Sequence, residues 1–128
     1  MKANELRIGN LVYYESENDY NKLEKYLCKI DGEDIHKIDR EENYANSHKP
    51  IPLTEEWLLK FGFEKDGFDW IIKLHYDTEL ILNFGKYSNA VIQDNEDGDS
   101  ISLHNPKYVH QLQNLFFALT GKELTIKN

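Results

Sequence analysis

A polypeptide with a single cysteine, Cys28, cannot close an intramolecular disulfide, and it offers no second thiol for a zinc site. That usage suits a reducing compartment, and a cytoplasmic location is expected. Long apolar runs are missing too: nothing approaches the roughly 20 residues that a membrane-spanning helix needs. The opening MKANELRIGN lacks the apolar stretch of a secretory signal, so no signal peptide is expected. Basic side chains are in deficit, with 15 Lys and Arg against 23 Asp and Glu, a formal net charge of −8. The deficit is spread along the chain, roughly −3 over residues 1–50 and roughly −5 over 51–128, so neither half hides a basic module. A surface of this sign repels phosphate backbones and disfavours nonspecific nucleic-acid binding. There is no internal repeat, no low-complexity linker and no glycine-rich phosphate loop; the seven glycines stand singly at expected turns.

What the chain does have is aromatic. Eight tyrosines, six phenylalanines and two tryptophans argue for a folded protein, because disordered chains lack bulky groups to bury. The length of 128 residues fits one compact domain or two small halves sharing a core. The first half reads as short strands. Residues 6–14 form the first, with Gly9-Asn10 allowing a bend or bulge. Residues 15–21 are a polar loop, and 23–30 a second strand in which Tyr26, Cys28 and Ile30 alternate. Asp31-Gly32, between that run and 34–38, is a hairpin signal. Residues 39–49, charged and rich in asparagine, read as a solvated loop.

PIPLTEEWLLKFGF, residues 50–63, is the most strongly patterned stretch. Pro50 and Pro52 keep the chain extended. Thr54 is placed to cap a short helix, and Glu55 and Glu56 sit where its dipole favours negative charge. Leu53 and Leu58 have the spacing of a hydrophobic staple, and Gly62 can take the left-handed conformation that ends the helix. The segment therefore reads as a joint in the fold.

Beyond it the apolar period becomes two. Phe68, Trp70, Ile72 and Leu74 alternate; Leu80, Leu82 and Phe84 follow; residues 90–93 and 100–103 continue. Turns are expected at 75–78, 85–89 and, through Asp97-Gly98, at 95–99. This is a four-stranded antiparallel meander with one apolar face. The last helix is expected to begin at Pro106, capped by Asn105, with Tyr108, Val109, Leu112, Leu115, Phe116 and Leu119 in one stripe. Gly121 ends it, and residues 124–126 can add an edge strand.

No chemical signature emerges from these elements. With Gly98 set at the loop glycine of a calcium motif, the first and twelfth ligand positions fall on Gln93 and His104, which do not fit. His36, His48, His75, His104 and His110 show no zinc spacing, and His110 falls at the border of the last helix's apolar stripe. Glu55 and Glu56 point about 100° apart and cannot converge on one substrate. No serine has a nucleophile-elbow context, and Cys28 reads as a small core residue. No catalytic residue, metal or cofactor is assigned. Tyr13, Tyr14, Tyr20, Tyr26 and Tyr44 crowd the first half beside acidic residues. Such groups either form a peptide-binding surface or rim the core. The candidate partner-binding residues are Tyr13, Tyr14 and Tyr20, with Asp94, Glu96, Asp97 and Asp99 on the acidic turn.

ELRIGN, PIPLTEEWLLKFGF and VHQLQNLFFALTGKELTI resemble three blocks shared by uncharacterised small bacterial proteins, often carried on prophages and other mobile elements. The resemblance spans nearly the whole chain. It implies an accessory gene and transfers no catalytic residues. The strand count and the IGNLV start of the first half are similar to a small SH3-like barrel. The expectation is thus an α+β protein: a small N-terminal SH3-like β-barrel unit over 1–52, then a short connector helix and a C-terminal antiparallel β-meander packed on one α-helix over 53–128, together one globule. The expected function is that of a non-catalytic accessory protein binding another protein. In one version its carboxylates block the basic groove of a nucleic-acid-binding enzyme. The alternative is a nucleic-acid-binding module in the SH3-like half.

Overall fold

Two antiparallel sheets organise the chain, one in each of two units. The computed structural model describes residues 1–84 and 89–127, so the turn expected at 85–89 lies almost wholly outside the described residues. Unit 1 comprises Met1–Pro52 with Tyr108–Asn114, and unit 2 comprises Leu53–Lys107 with Leu115–Asn128.

In unit 1, β1 (Leu11–Glu17) lies between β2 (Leu23–Lys29) and β3 (His48–Lys49), all antiparallel. Among the described residues these strands form an open three-stranded sheet, and no closed barrel is detected. The register sets Val12 opposite Cys28 and Tyr14 opposite Tyr26, so these four share a face. That face carries the core. Leu6, Val12, Ile30 and Ile38 are buried together, with Cys28, Ile35, Tyr44 and Ala45 packed against them. The first strand begins later than the sequence reading placed it. Residues 3–5 form a single 3₁₀ turn, and Gly9 (φ 96°) bends the chain so that its amide meets the Ile30 carbonyl.

The expected hairpin at Asp31-Gly32 is instead the start of a helix, α1 (Gly32–Arg40). A two-residue hairpin turn would need positive φ at these positions, which neither adopts. Asp31 accepts the amide of Asp34 at 2.8 Å, and Asp34 accepts the amide of Asp31 at 3.0 Å, a reciprocal cap. Lys37 and Arg40 in the last turn favour the negative end of the dipole. Residues 39–49 are not a loop. They finish α1, form α2 (Glu42–Ser47) and enter β3. Ile35 and Ile38 from α1, and Tyr44 and Ala45 from α2, roof the sheet's core face.

Unit 2 opens with α3 (Glu55–Lys60). The Thr54 hydroxyl accepts the Trp57 amide at 3.4 Å, and Leu53 and Leu58 are both buried. At the other end the Phe63 amide reaches the Leu58 carbonyl and the Gly62 amide the Leu59 carbonyl, both at 3.0 Å, with Gly62 at φ 89°. That pair of bonds is a Schellman motif. The meander has five strands, not four: β4 (Glu64–Asp66), β5 (Asp69–His75), β6 (Thr78–Asn83), β7 (Asn89–Asp94) and β8 (Ser100–His104), in that spatial order. The extra strand is short, charged and exposed on every residue, so no apolar alternation announced it. Phe68 sits exposed in the turn before β5 instead of on the apolar face. Trp70, Leu82 and Ala90 lie side by side across three strands, as do Ile72, Leu80 and Ile92. Full burial of a leucine such as Leu58, Leu80 or Leu82 contributes about 1.5–3 kcal/mol before entropy.

The last helix, α4 (Val109–Thr120), starts three residues later than expected. Pro106 is not its first residue, and Asn105 is not its cap. The Asn105 amide group instead donates to the Asn83 carbonyl at 3.0 Å. In unit 1 the Val109 amide donates to the Ile51 carbonyl and Tyr108 bridges Pro52; in unit 2 the Leu53 amide donates to the Lys107 carbonyl. These strand-like bonds hold residues 107–108 extended ahead of α4. The Gln111 side chain then accepts the Tyr108 amide at 3.2 Å. In unit 1, Gln113 is buried and satisfied at both ends, accepting the Leu11 amide at 2.8 Å and donating to the Gly9 carbonyl at 3.3 Å. In unit 2, the His75 ring approaches the Leu119 carbonyl at 3.3 Å. Residues 124–126 form no strand; Leu124 is buried and the Lys127 amide donates to the Lys60 carbonyl. Among the described residues no helix is long and apolar enough to cross a membrane.

Candidate functional site

The tyrosines divide by strand parity. Tyr13 points to the open face of the three-stranded sheet, opposite Leu27. The Lys25 ammonium lies 5.6 Å from the Tyr13 ring centroid and 3.6 Å from the Glu15 carboxylate. Tyr14, one residue on, belongs to the core face, with its ring 5.2 Å from His48 and 6.5 Å from Tyr44. Tyr20 stands 83% exposed in the turn between β1 and β2. Tyr26 is half exposed and hydrogen bonds to Glu24. Tyr13 and Tyr14 therefore do not share one patch, although both were candidates for it.

The open face is completed by β2, the edge strand. Leu23 is 70% and Leu27 53% exposed. The backbone direction follows from the flanking bonds. Lys22 presents its carbonyl to Asn18, and Ile30 turns its amide to Asn10 and its carbonyl to Gly9. Because direction alternates along an antiparallel strand, Leu23, Lys25, Leu27 and Lys29 turn their amides and carbonyls outward, away from β1.

The acidic turn holds only part of its charge outward. Asp94 is half-buried, and its Oδ1 accepts the amides of Glu96 at 2.9 Å and Asp97 at 3.5 Å. Gly98, at φ 77°, returns its amide to the Asp94 carbonyl. Glu96, Asp97 and Asp99 remain exposed. Among the described residues no group of His, Cys, Asp and Glu is placed to hold a metal ion.

A polar cluster that the sequence reading missed lies under the first sheet. The Tyr44 hydroxyl donates to Asp34 at 2.6 Å, and His48 Nδ1 lies 2.8 Å from the Tyr44 carbonyl. Donating to the Asp34 carboxylate pushes the Tyr44 phenol well above its ordinary range. Burial, together with the nearby Asp34 and Asp31, pushes the Cys28 thiol up, away from the thiolate form. Beside this cluster is a cleft of about 300 Å³ within unit 1, bordered by Glu5, Asn46, His48, Lys49, Tyr108 and His110. His48 and His110 are both buried, whereas His110 was expected at a helix border. Neither imidazole announces itself in the sequence, because the two come from β3 and α4 and reach one cleft only through the fold. A larger cleft of about 620 Å³ in unit 2 is lined by balanced charges, including Lys65, Lys73, Glu64 and Glu79. Compared with protein-family models, with curated proteins and with solved structures, the chain gives no match.

Proposed function

We propose that this chain is a non-catalytic interaction protein that binds another protein, and that β2 is its contact strip. One observation carries the reading: an edge strand whose outward backbone groups are unpaired by any neighbouring strand among the described residues also exposes Leu23 and Leu27 on the adjoining open face. An extended partner segment can add to such an edge, the main chain supplying affinity and the alternate side chains specificity. Tyr13 and Tyr20 extend the same region. Edge strands that are not used are usually shielded, and Lys25 and Lys29 do part of that work here, but exposed leucines work against it. The resemblance of the three sequence blocks adds a setting, an accessory gene of a prophage or mobile element.

The test compares affinity capture by the intact chain with capture by the double variant Leu23→Lys, Leu27→Lys. Proteins retained by the first and lost by the second support the strip. Identical capture by both, with the variant folded, removes it. In the acidic-inhibitor version, Glu96, Asp97 and Asp99 meet a basic groove, and neutralising those three is the decisive variant. The alternative, a nucleic-acid-binding module with an SH3-like first half, draws on Lys25 and Lys29 on β2 and on Lys22 just before it. Absence of any mobility shift with mixed DNA and RNA at low salt retires it.

A further inference from the structure

We infer that the partner of β2 is an extended protein segment that carries carboxylates and apolar side chains at alternate positions of one face. The inference rests on β2 being the contact strip and adds the chemistry of what binds there. Along the open face the side chains of β2 read Leu23, Lys25, Leu27 and Lys29. Apolar and positive groups thus alternate at the spacing with which a neighbouring strand presents its own side chains. The Lys25 side chain is 61% exposed, and Lys29 is exposed as well.

The occupied side of β2 shows which neighbour this pattern accepts. There β1 runs antiparallel and sets Tyr13 opposite Leu27 and Glu15 opposite Lys25, with the Lys25 ammonium 3.6 Å from the Glu15 carboxylate. An apolar group faces the leucine and a carboxylate faces the lysine. A strand added at the outer edge meets the same four side chains from the other side. The favoured pairs are again apolar groups opposite Leu23 and Leu27, and carboxylates opposite Lys25 and Lys29. The ammonium of Lys25 has three donors, so its exposed pair with Glu15 leaves room for a second carboxylate. Lys29 faces Leu11, which offers it no charge. The chain's net charge of −8 is screened beyond about 8 Å at physiological salt, so the lysines in direct contact decide. A second copy of the chain suits this edge poorly. Laying Leu27 on Leu23 of the other copy in a twofold pairing sets Lys25 against its own counterpart, and laying Leu27 on Leu27 sets Lys25 against Lys29. Like charges directly opposite are destabilising, and they turn the strip toward a different, acidic segment.

The experiment titrates two short peptides into the full chain. One alternates valine and glutamate at every second position, the other valine and lysine, with threonine between. Amide hydrogen exchange reads the contact, because the amides of Leu23, Lys25, Leu27 and Lys29 face outward while those of the residues between them face β1. The glutamate peptide should protect the four outward amides and bind roughly tenfold more tightly than the lysine peptide at low salt. The double variant Lys25→Gln, Lys29→Gln should erase that preference. Equal protection by both peptides overturns the acidic partner and leaves the strip itself standing. Protection by neither, or protection away from β2, also overturns it, and the capture comparison with Leu23→Lys, Leu27→Lys then decides the strip separately. Concentration-dependent protection of the same amides without peptide makes a second copy the occupant and overturns the inference as well.

Discussion

Asp31 and Asp34 hold each other's backbone: each carboxylate accepts the other residue's amide, at 2.8 and 3.0 Å, and the second oxygen of Asp34 takes the Tyr44 hydroxyl at 2.6 Å. The pair starts α1, and the Tyr44 bond ties α2 to it. Asp31→Ala should therefore cost about 1 kcal/mol, the usual worth of a side-chain cap, in urea unfolding. Asp34→Ala should cost more, since it also strands the Tyr44 hydroxyl. Equal losses in the two variants would mean that the Tyr44 bond contributes nothing.

The same pair shows where the sequence misleads. Asp-Gly between alternating runs is a hairpin signal, but Asp-x-x-Asp is also a capping box, and the letters are identical here. The decision between them is made by Ile35 and Ile38, whose burial against Leu6 and Val12 is a tertiary fact. The cap and the stop of α3 were legible because the bonds that set them, Thr54 to Trp57 and Leu58 to Phe63, are local. The start of α4 was not, because bonds to Ile51 and Leu53, far away in sequence, hold the chain extended as far as Tyr108. The site divides in the same way. The exposure of Tyr20 follows from a polar turn, whereas the placing of His48 and His110 on one cleft required the fold.

Gly62 and Gly98 make a paired test of backbone strain. Both have positive φ, 89° and 77°. A methyl group at Gly62 would approach the Lys127 Cγ at 3.0 Å, whereas at Gly98 it meets nothing within 4 Å. Gly98→Ala should cost only the conformational term, about 1–2 kcal/mol. Gly62→Ala should cost at least as much and also loosen the tail, where the Lys127 amide bonds Lys60. Hydrogen exchange at that amide reads the second effect directly. Unchanged protection in Gly62→Ala would show that the tail adjusts freely.

Leu82 and Leu27 separate core from contact strip. Leu82 is fully buried between Trp70 and Ala90, so Leu82→Ala should cost about 2–5 kcal/mol. Leu27 is more than half exposed, so Leu27→Lys should change stability by no more than about 0.5 kcal/mol. Thermal unfolding of the two variants checks both. A large loss at Leu27 would mean that its face is structural and would withdraw the strip as a free surface.

Acid should weaken unit 1 through His110. Burial depresses the imidazole below its ordinary range, and the Glu5 charge only partly opposes this. Between the depressed value and the unfolded value, about 6.5, the unfolded chain binds more protons than the folded one. The neutral ring's contribution is therefore complete above that unfolded value and is lost as pH falls through the folded one. Denaturation across this range should show stability declining on acidification from neutral pH. His110→Gln, which cannot titrate, should flatten that slope. An acid slope that is the same in His110→Gln as in the parent would place the proton-sensitive group elsewhere.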